Sequence, residues 1–417
     1  MQRPSPTHVS PQPATLQSEI GIGLRTKTVT NSIFAPEWPS DVARGGSPWE
    51  PSWSARALTA FRRRLLAWFD DRRRDLPWRE SRDPYRIWVS EVMLQQTTVA
   101  AVVPYFTRFV GAFPTVQALA EADEQHVLAH WQGLGYYRRA RHLHAAAKFL
   151  AEYHPDGLPD DPAVWEALPG VGRYILGAVL SQAFDRRLPV VEANTLRVLS
   201  RLFGSRLDPR EGDGKKWVWE AAEAVLPRKR VGDFNQAMME LGALVCTPAN
   251  PRCGACPART VCVAKRDGTQ AEIPPKPREK PRVAVAEVTV AVWDGPRVLL
   301  CRRPPTATRW ANMWELPRGE VAVGEDATAA AARVVKELAG LDVEIGTEVL
   351  TLRHGVTRFD ITLNCLEATV TGGEFASAFY TSGDWLTPAE WTDRPASTPQ
   401  RRLLAELANP NRARRLF

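Results

Sequence analysis

No apolar run in this 417-residue sequence approaches the roughly 20 residues that a membrane-spanning helix requires, so no membrane partner is expected. Cysteine is scarce. Six in the whole chain cannot make a dense disulfide scaffold, which argues for a reducing compartment. The start lacks the basic n-region and apolar h-region of a secretory signal and is too poor in arginine for a transit peptide, so the expected location is cytoplasmic. Internal repeats are absent, and neither sign of charge dominates, with 54 Lys+Arg against 47 Asp+Glu. At 44% hydrophobic and 24% charged, the composition is that of an ordinary soluble protein, with length for two or three domains that each bury a core.

The net charge of +7 is unevenly spread. Residues 1–54 are neutral, 55–263 carry +6, 264–282 carry +3 and 283–417 carry −2. An excess concentrated in the middle of the chain makes a polyanion, nucleic acid first, the expected partner. Residues 1–52, rich in Pro, Ser and Thr without an apolar period, are expected to be a disordered tail. Leu58, Phe61, Leu65, Leu66 and Phe69 recur at helical spacing, and helical patterns continue to about residue 245. Residues 53–263 are therefore expected to be all-α. Pro274, Pro275, Pro277 and Pro281 among charges make 264–282 a stiff, extended linker. Beyond it the period changes to two, with strands expected over 283–293, 298–301, 349–352 and 359–370 and a helix over 327–338. Residues 283–409 thus form a second, α+β domain, followed by a basic tail, 410–417.

Cys246, Cys253, Cys256 and Cys262 stand at spacing C-x6-C-x2-C-x5-C. Four thiolates on so short a loop suit tetrahedral soft-metal ligation, by zinc or an iron–sulfur cluster. Gly170 and Gly172, in Leu168-Pro169-Gly170-Val171-Gly172-Arg173-Tyr174, precede a helical run. A tight turn there aims backbone N–H groups outward from a helix N-terminus, an arrangement suited to a DNA phosphate.

The chain resembles the helix-hairpin-helix DNA glycosylases with a four-cysteine loop, and among them the MutY adenine glycosylases. The resemblance rests on Leu76-Pro77-Trp78-Arg79, the segment Ser90–Thr97, Gly133-Leu134-Gly135-Tyr136-Tyr137, Leu168–Gly172, the segment Phe234–Gly242 and the cysteines. It spans about 55–417. It implies a [4Fe–4S] cluster rather than zinc, a monomer at the bacterial nucleoid, and hydrolytic removal of adenine mispaired with 8-oxoguanine or guanine in double-stranded DNA.

Adenine is a poor leaving group, so cutting its N-glycosidic bond needs a proton donor at the purine and negative charge near the cationic sugar. The base must also be flipped out of the duplex. Glu91, in an apolar frame of Ile87, Trp88, Val89, Val92, Met93 and Leu94, matches the family's general acid, and burial should raise its pKa. Glu192 stands where the family has a catalytic Asp, and Ala193 where it has Gly, so the charge survives on a side chain one methylene longer. Tyr174 replaces the nucleophilic Lys of endonuclease III-type relatives, which implies no Schiff base and no strand cleavage. It matches a Tyr that assists the catalytic carboxylate. Asn194 is expected to orient water, Arg79 and Gln236 to line the adenine pocket, and Gln96 and Tyr136 to wedge into the base stack.

The second domain resembles the Nudix-like module at the end of MutY proteins. Gly319, Glu325, Arg333, Glu337 and Gly340 keep parts of the Nudix box, but Val334 and Leu338 stand where acidic metal ligands are needed, so triphosphate hydrolysis is not expected. The family's Phe-Ser-His contact with 8-oxoguanine falls on Val356, Thr357 and Arg358, which keeps a hydroxyl at Thr357 and a donor at Arg358 but loses the aromatic there. Two alternatives stand beside the adenine reading: a diverged endonuclease III-like glycosylase of another lesion, and a noncatalytic damage-binding protein.

Overall fold

The computed structural model describes residues 53–277, 281–356 and 358–410. The tail expected over 1–52, Thr357 and residues 411–417 lie outside the described residues. The first part is helical throughout, in α1 (Ala55–Arg72), α2 (Pro84–Leu94), α3 (Val99–Ala112), α4 (Val116–Glu121), α5 (Glu124–Trp131) and α6 (Arg138–Tyr153). It continues with α7 (Pro162–Ala167), α8 (Arg173–Phe184), α9 (Ala193–Phe203), α10 (Gly212–Val225), α11 (Val231–Leu244) and α12 (Val263–Arg266).

Local chemistry sets the boundaries. Ser54, Asp83, Thr98, Thr115, Asp123 and Asp161 each cap a helix start with a side-chain oxygen. Within α1 the periodic Phe61, Leu65 and Phe69 are fully buried. Buried aromatics, among them Trp88, Phe106, Phe109, Trp131 and Trp165, fill the core between α2, α3, α5 and α8.

Residues 264–277, expected as part of a stiff, extended linker, are tethered to the helical domain. Ile273, apolar amid the prolines, is buried, and Arg201 of α9 donates to its carbonyl at 2.8 Å. Glu272 pairs with Arg206 at 2.9 Å. One hydrophobic anchor and two arginines thus fasten the first half of this segment to the helical domain.

The second part is a seven-stranded mixed sheet. Its strands are β1 (Val283–Asp294), β2 (Arg297–Arg302), β3 (Trp314–Glu315), β4 (Arg318–Glu320), β5 (Asp342–Val356), β6 (Phe359–Gly372) and β7 (Ser382–Leu386). The main path runs β3-β2-β1-β6-β5, with β4 on β1 and β7 on β2, and only β1 and β6 are parallel. Helix α13 (Ala327–Ala339) covers one face and α14 (Thr398–Leu407) the other. Cys301 and Cys365 are buried in these two cores. The expected strands and helix all form. The missed elements, β3, β4, β7 and α14, are too short or too charged to show a period. Among the described residues no helix is long and apolar enough to cross a membrane.

The two parts touch. Met313, fully buried, lies in the core of the helical part, and Trp310 packs against it. Around them Trp314 Nε1 donates to Gln125 Oε1 at 3.0 Å and Gln125 Nε2 to the Asn312 carbonyl at 3.1 Å.

Candidate active site

Glu91 lies on α2 and is only 3% exposed. The Tyr174 hydroxyl, from the first turn of α8, donates to its Oε2, and Gln182 Nε2, two turns further along α8, donates to Oε1 at 2.8 Å. Burial pushes the Glu91 carboxyl above the ordinary range, against the two donors and the nearby Arg79 charge. Tyr174 is itself raised by burial and then by Glu91 and Glu192, so its proton stays on the phenol. The expected general acid and its tyrosine neighbour therefore meet, and the phenol binds Glu91 rather than Glu192. Gln182 escaped the sequence reading. A lone Gln in an apolar helix such as α8 was the available signal.

Glu192 caps α9. Its Oε1 accepts from Thr195 N at 2.9 Å, and Oε2 from Asn194 N at 2.8 Å and Asn194 Nδ2 at 3.1 Å. The Glu192 N–H in turn donates to Thr195 Oγ1 at 2.8 Å, which closes a capping box. Short side chains are the usual caps. Here an extended residue, φ −138° and ψ −177°, folds the longer carboxylate back onto the helix end. Burial raises the Glu192 pKa, opposed by the two backbone donors and Arg197, and the charge of Glu91 raises it further. The two carboxyls thus share one electrostatic environment.

Asn194 is engaged at both ends, since Arg197 Nη2 donates to its Oδ1 at 2.9 Å while its Nδ2 serves Glu192. This fits a residue that holds Glu192 in place better than one that orients water. Gly242 of α11 permits the arrangement, because a Cβ there would stand 2.5 Å from that of Asn194.

Arg79 and Gln236 also come together, Nε to Oε1 at 2.8 Å. Arg79 Nη2 pairs with Glu240 at 3.1 Å, and Arg74 binds the same carboxylate at 2.8 Å. Burial drives Glu240 up, yet the Arg74 and Arg79 guanidiniums hold it at about 2. Glu240, one helical turn from Gln236 on α11, is the anchor that the sequence reading quoted within a motif without assigning.

The remaining positions expected to face DNA lie on turns. Gly170 has φ +77°, and a Cβ there would fall 2.7 Å from that of His142, so only glycine fits. Gly172 caps α8 without a side chain and leaves open space beside it. Gln96 and Tyr136 are both left-handed, at φ +58° and +50°, and Tyr136 is 51% exposed. Arg139, unnoticed in the sequence, ties their two turns together. Its Nη1 donates to the carbonyls of Val92 and Met93 at 3.0 and 2.8 Å, and its Nη2 to that of Gly135 at 3.1 Å. A cation at the carbonyl end of α2 is well placed.

In the second domain Val356 pairs with Phe359 across the β5–β6 turn, which places Arg358 at its tip with the guanidinium 5.1 Å from the Phe359 ring. The aromatic lost at position 356 has a neighbour at 359 that the sequence reading passed over. In the former Nudix box Glu325, Arg333 and Glu337 are linked by ion pairs of 2.7 and 3.1 Å, while Val334 is buried beneath Gly319.

The four cysteines of the 246–262 loop line one cavity, unbridged by disulfides, with Arg201 Nη1 3.4 Å from Cys246 Sγ. Burial, and then the neighbouring cysteines, push Cys256 up to about 12 and raise Cys262 as well, so these two thiols would ionise only around a cationic group. Among the described residues no three His, Cys, Asp or Glu side chains converge as a single ion would require.

Two family models match, and they define the class. Residues 89–223 match the HhH-GPD superfamily of base excision DNA repair proteins, and 288–406 match the NUDIX domain. An adenine DNA glycosylase of Rattus norvegicus is 33% identical over 402 residues, covering 83% of this chain and 77% of the relative. One of Mus musculus is 45% identical over 216 residues, or 50% of this chain and 42% of the relative. One of Buchnera aphidicola is 36% identical over 224 residues, at 54% and 65%. The chain belongs to the adenine DNA glycosylase family.

Proposed function

We propose that this enzyme flips adenine out of a mispair with 8-oxoguanine or guanine in duplex DNA and hydrolyses its N-glycosidic bond, leaving an abasic site. The observation that carries this reading is the buried carboxyl of Glu91, held by Tyr174 and Gln182 in the same electrostatic environment as Glu192. Glu91, protonated, is the general acid at the purine. Glu192, ionised, faces the cation that develops on the sugar, and Asn194 with Thr195 fixes its position. Arg79 and Gln236 read the adenine edge, Gln96 and Tyr136 fill the gap in the stack, and Gly170 and Gly172 present backbone donors to phosphate. Position 174 offers no amine, so the enzyme is monofunctional.

Both carboxyl pKa values are raised, so the rate should follow a bell-shaped pH profile. The acid limb is the loss of ionised Glu192 as pH falls, and the alkaline limb the loss of protonated Glu91 as pH rises. The Tyr174 hydroxyl stabilises the ionised form of Glu91. Tyr174→Phe should therefore raise the Glu91 pKa further and move the alkaline limb of single-turnover excision to higher pH. An unmoved alkaline limb would remove Tyr174 from this role.

The cysteine loop fits a [4Fe–4S] cluster held by Cys246, Cys253, Cys256 and Cys262. Four thiols line one cavity, and their C-x6-C-x2-C-x5-C spacing, which matches the family's, favours a multi-iron group over a single zinc. Such a group would hold the loop folded against α9. The purified protein is expected to be brown, with iron and sulfide in equal amounts. A colourless protein containing one zinc would contradict this.

The base opposite adenine is assigned to the β5–β6 turn, where Arg358 supplies a polar contact and Phe359 stands beside it. Comparing single-turnover excision from 8-oxoguanine:adenine and guanine:adenine duplexes tests it. Faster excision from the first is expected, and equal rates would remove the oxidised-guanine assignment.

A further inference from the structure

The turn that carries Tyr136 is held from below by the second domain. Gln132, directly after α5, accepts the Ala396 N–H through Oε1 at 2.9 Å. On the other side of the turn the Tyr137 hydroxyl accepts from the Gly133 N–H at 3.3 Å and donates to the Ala396 carbonyl at 3.4 Å. The backbone N–H and carbonyl of one residue of the second domain are thus both held by residues on either side of Tyr136. Both partners are shielded from water, since Tyr137 is 6% and Ala396 1% exposed. In such a site an unmade hydrogen bond is costly.

Ala396 is no loose end. It pairs with Trp314 of β3, whose N–H donates to the Pro395 carbonyl at 2.8 Å, and β3 pairs with β2 of the main sheet. Ser397 caps α14. The turn itself has little slack. Gly133, at φ +100°, lies so close to the Tyr105 hydroxyl that a Cβ would collide with it, and Tyr136 is held in the left-handed region beside Arg139. Nothing in the catalytic geometry requires these contacts.

We propose that the backbone of Ala396 is a latch through which the second domain sets the position of the wedge Tyr136, with Gln132 and Tyr137 as positioning residues. A domain that engages the base opposite adenine then also fixes, through the sheet, β3 and Ala396, how firmly the wedge enters the stack. Base reading and base flipping become one coupled event. This rests on the assignment of Tyr136 as a wedge made above.

The test is a double-mutant cycle with the full-length enzyme on an adenine-mispaired duplex, read by single-turnover adenine release and by the fluorescence of a 2-aminopurine placed beside the target to report unstacking. Tyr137→Phe and Gln132→Leu are each expected to reduce unstacking and slow excision about tenfold. Gln132→Glu, which keeps an acceptor for the Ala396 N–H, should restore both signals. In a Tyr136→Ala background the two latch variants should have no further effect, because the latch acts through that ring. Thermal melting of each variant separates this from unfolding. If Tyr136→Ala is impaired and the latch variants either match wild type or add their full effect on top of it, the latch is overturned while the wedge stands. If Tyr136→Ala equals wild type, the wedge assignment fails first and the latch fails with it.

Discussion

Replacing Glu91 by Gln is expected to slow single-turnover adenine release by about 10³-fold or more, the scale of a positioned general acid. The substitution is nearly isosteric. Its amide oxygen can still accept from Gln182 Nε2, which now lies 2.8 Å from Glu91 Oε1. What disappears is a proton that a buried carboxyl retains above its ordinary range, because desolvation outweighs Tyr174, Gln182 and Arg79. Thermal stability should be unimpaired, since a neutral amide in this setting avoids the desolvation that an ionised carboxylate suffers. DNA binding should persist, which makes the variant a trap for the flipped complex. Quenched time courses of base release, with thermal melting as the control, check this. A rate within tenfold of wild type would move the proton donor elsewhere.

The second large effect is at Glu192. Glu192→Gln removes the negative charge that faces the sugar cation and should cost about 10²–10³-fold in the same assay, the range for losing one preorganised electrostatic contact. It should also loosen the start of α9, because the charge favours that helix end, by about 1 kcal/mol. Glu192→Asp is the informative partner. Asp is a natural N-cap, and the backbone around it is already extended, so the capping box with Thr195 can re-form one methylene closer to the helix. We expect Glu192→Asp to retain at least a tenth of the wild-type rate. If Glu192→Gln is as fast as wild type, the cation-stabilising role is lost. The shorter side chain failing where the amide succeeds would make Glu192 a cap and nothing more.

The sequence carried much of this site because its chemistry is local. Glu91 sits in an apolar helical frame that predicts burial, and the cysteine spacing predicts a shared cavity. The glycines at 170 and 172 announce a turn whose sterics were later visible at His142. What stayed hidden was the set of residues that hold the others across long stretches of chain. Gln182 reaches Glu91 from 91 residues away and Glu240 reaches Arg79 from 161, and no period or spacing encodes such pairings. Arg139 looked like one more basic residue on α6, since only the fold shows carbonyls from two turns converging on its guanidinium. The family match sets Tyr174 beside the second carboxyl, whereas its hydroxyl donates to Glu91. The direction of its side chain depends on how α8 crosses α2. In the second domain the long strands were legible from alternation, but β3, only two residues long, has no pattern to find, and it anchors Ala396.

The most direct measurement is the product formed from an 8-oxoguanine:adenine duplex by stoichiometric enzyme, scored for free adenine, for abasic sites and for strand breaks before any alkali treatment. Free adenine and abasic sites should appear in equal yield, with unbroken strands and no covalent adduct on borohydride addition. Tight binding without adenine release, or efficient borohydride trapping with cleaved strands, would contradict a hydrolytic adenine glycosylase built on Glu91 and Glu192.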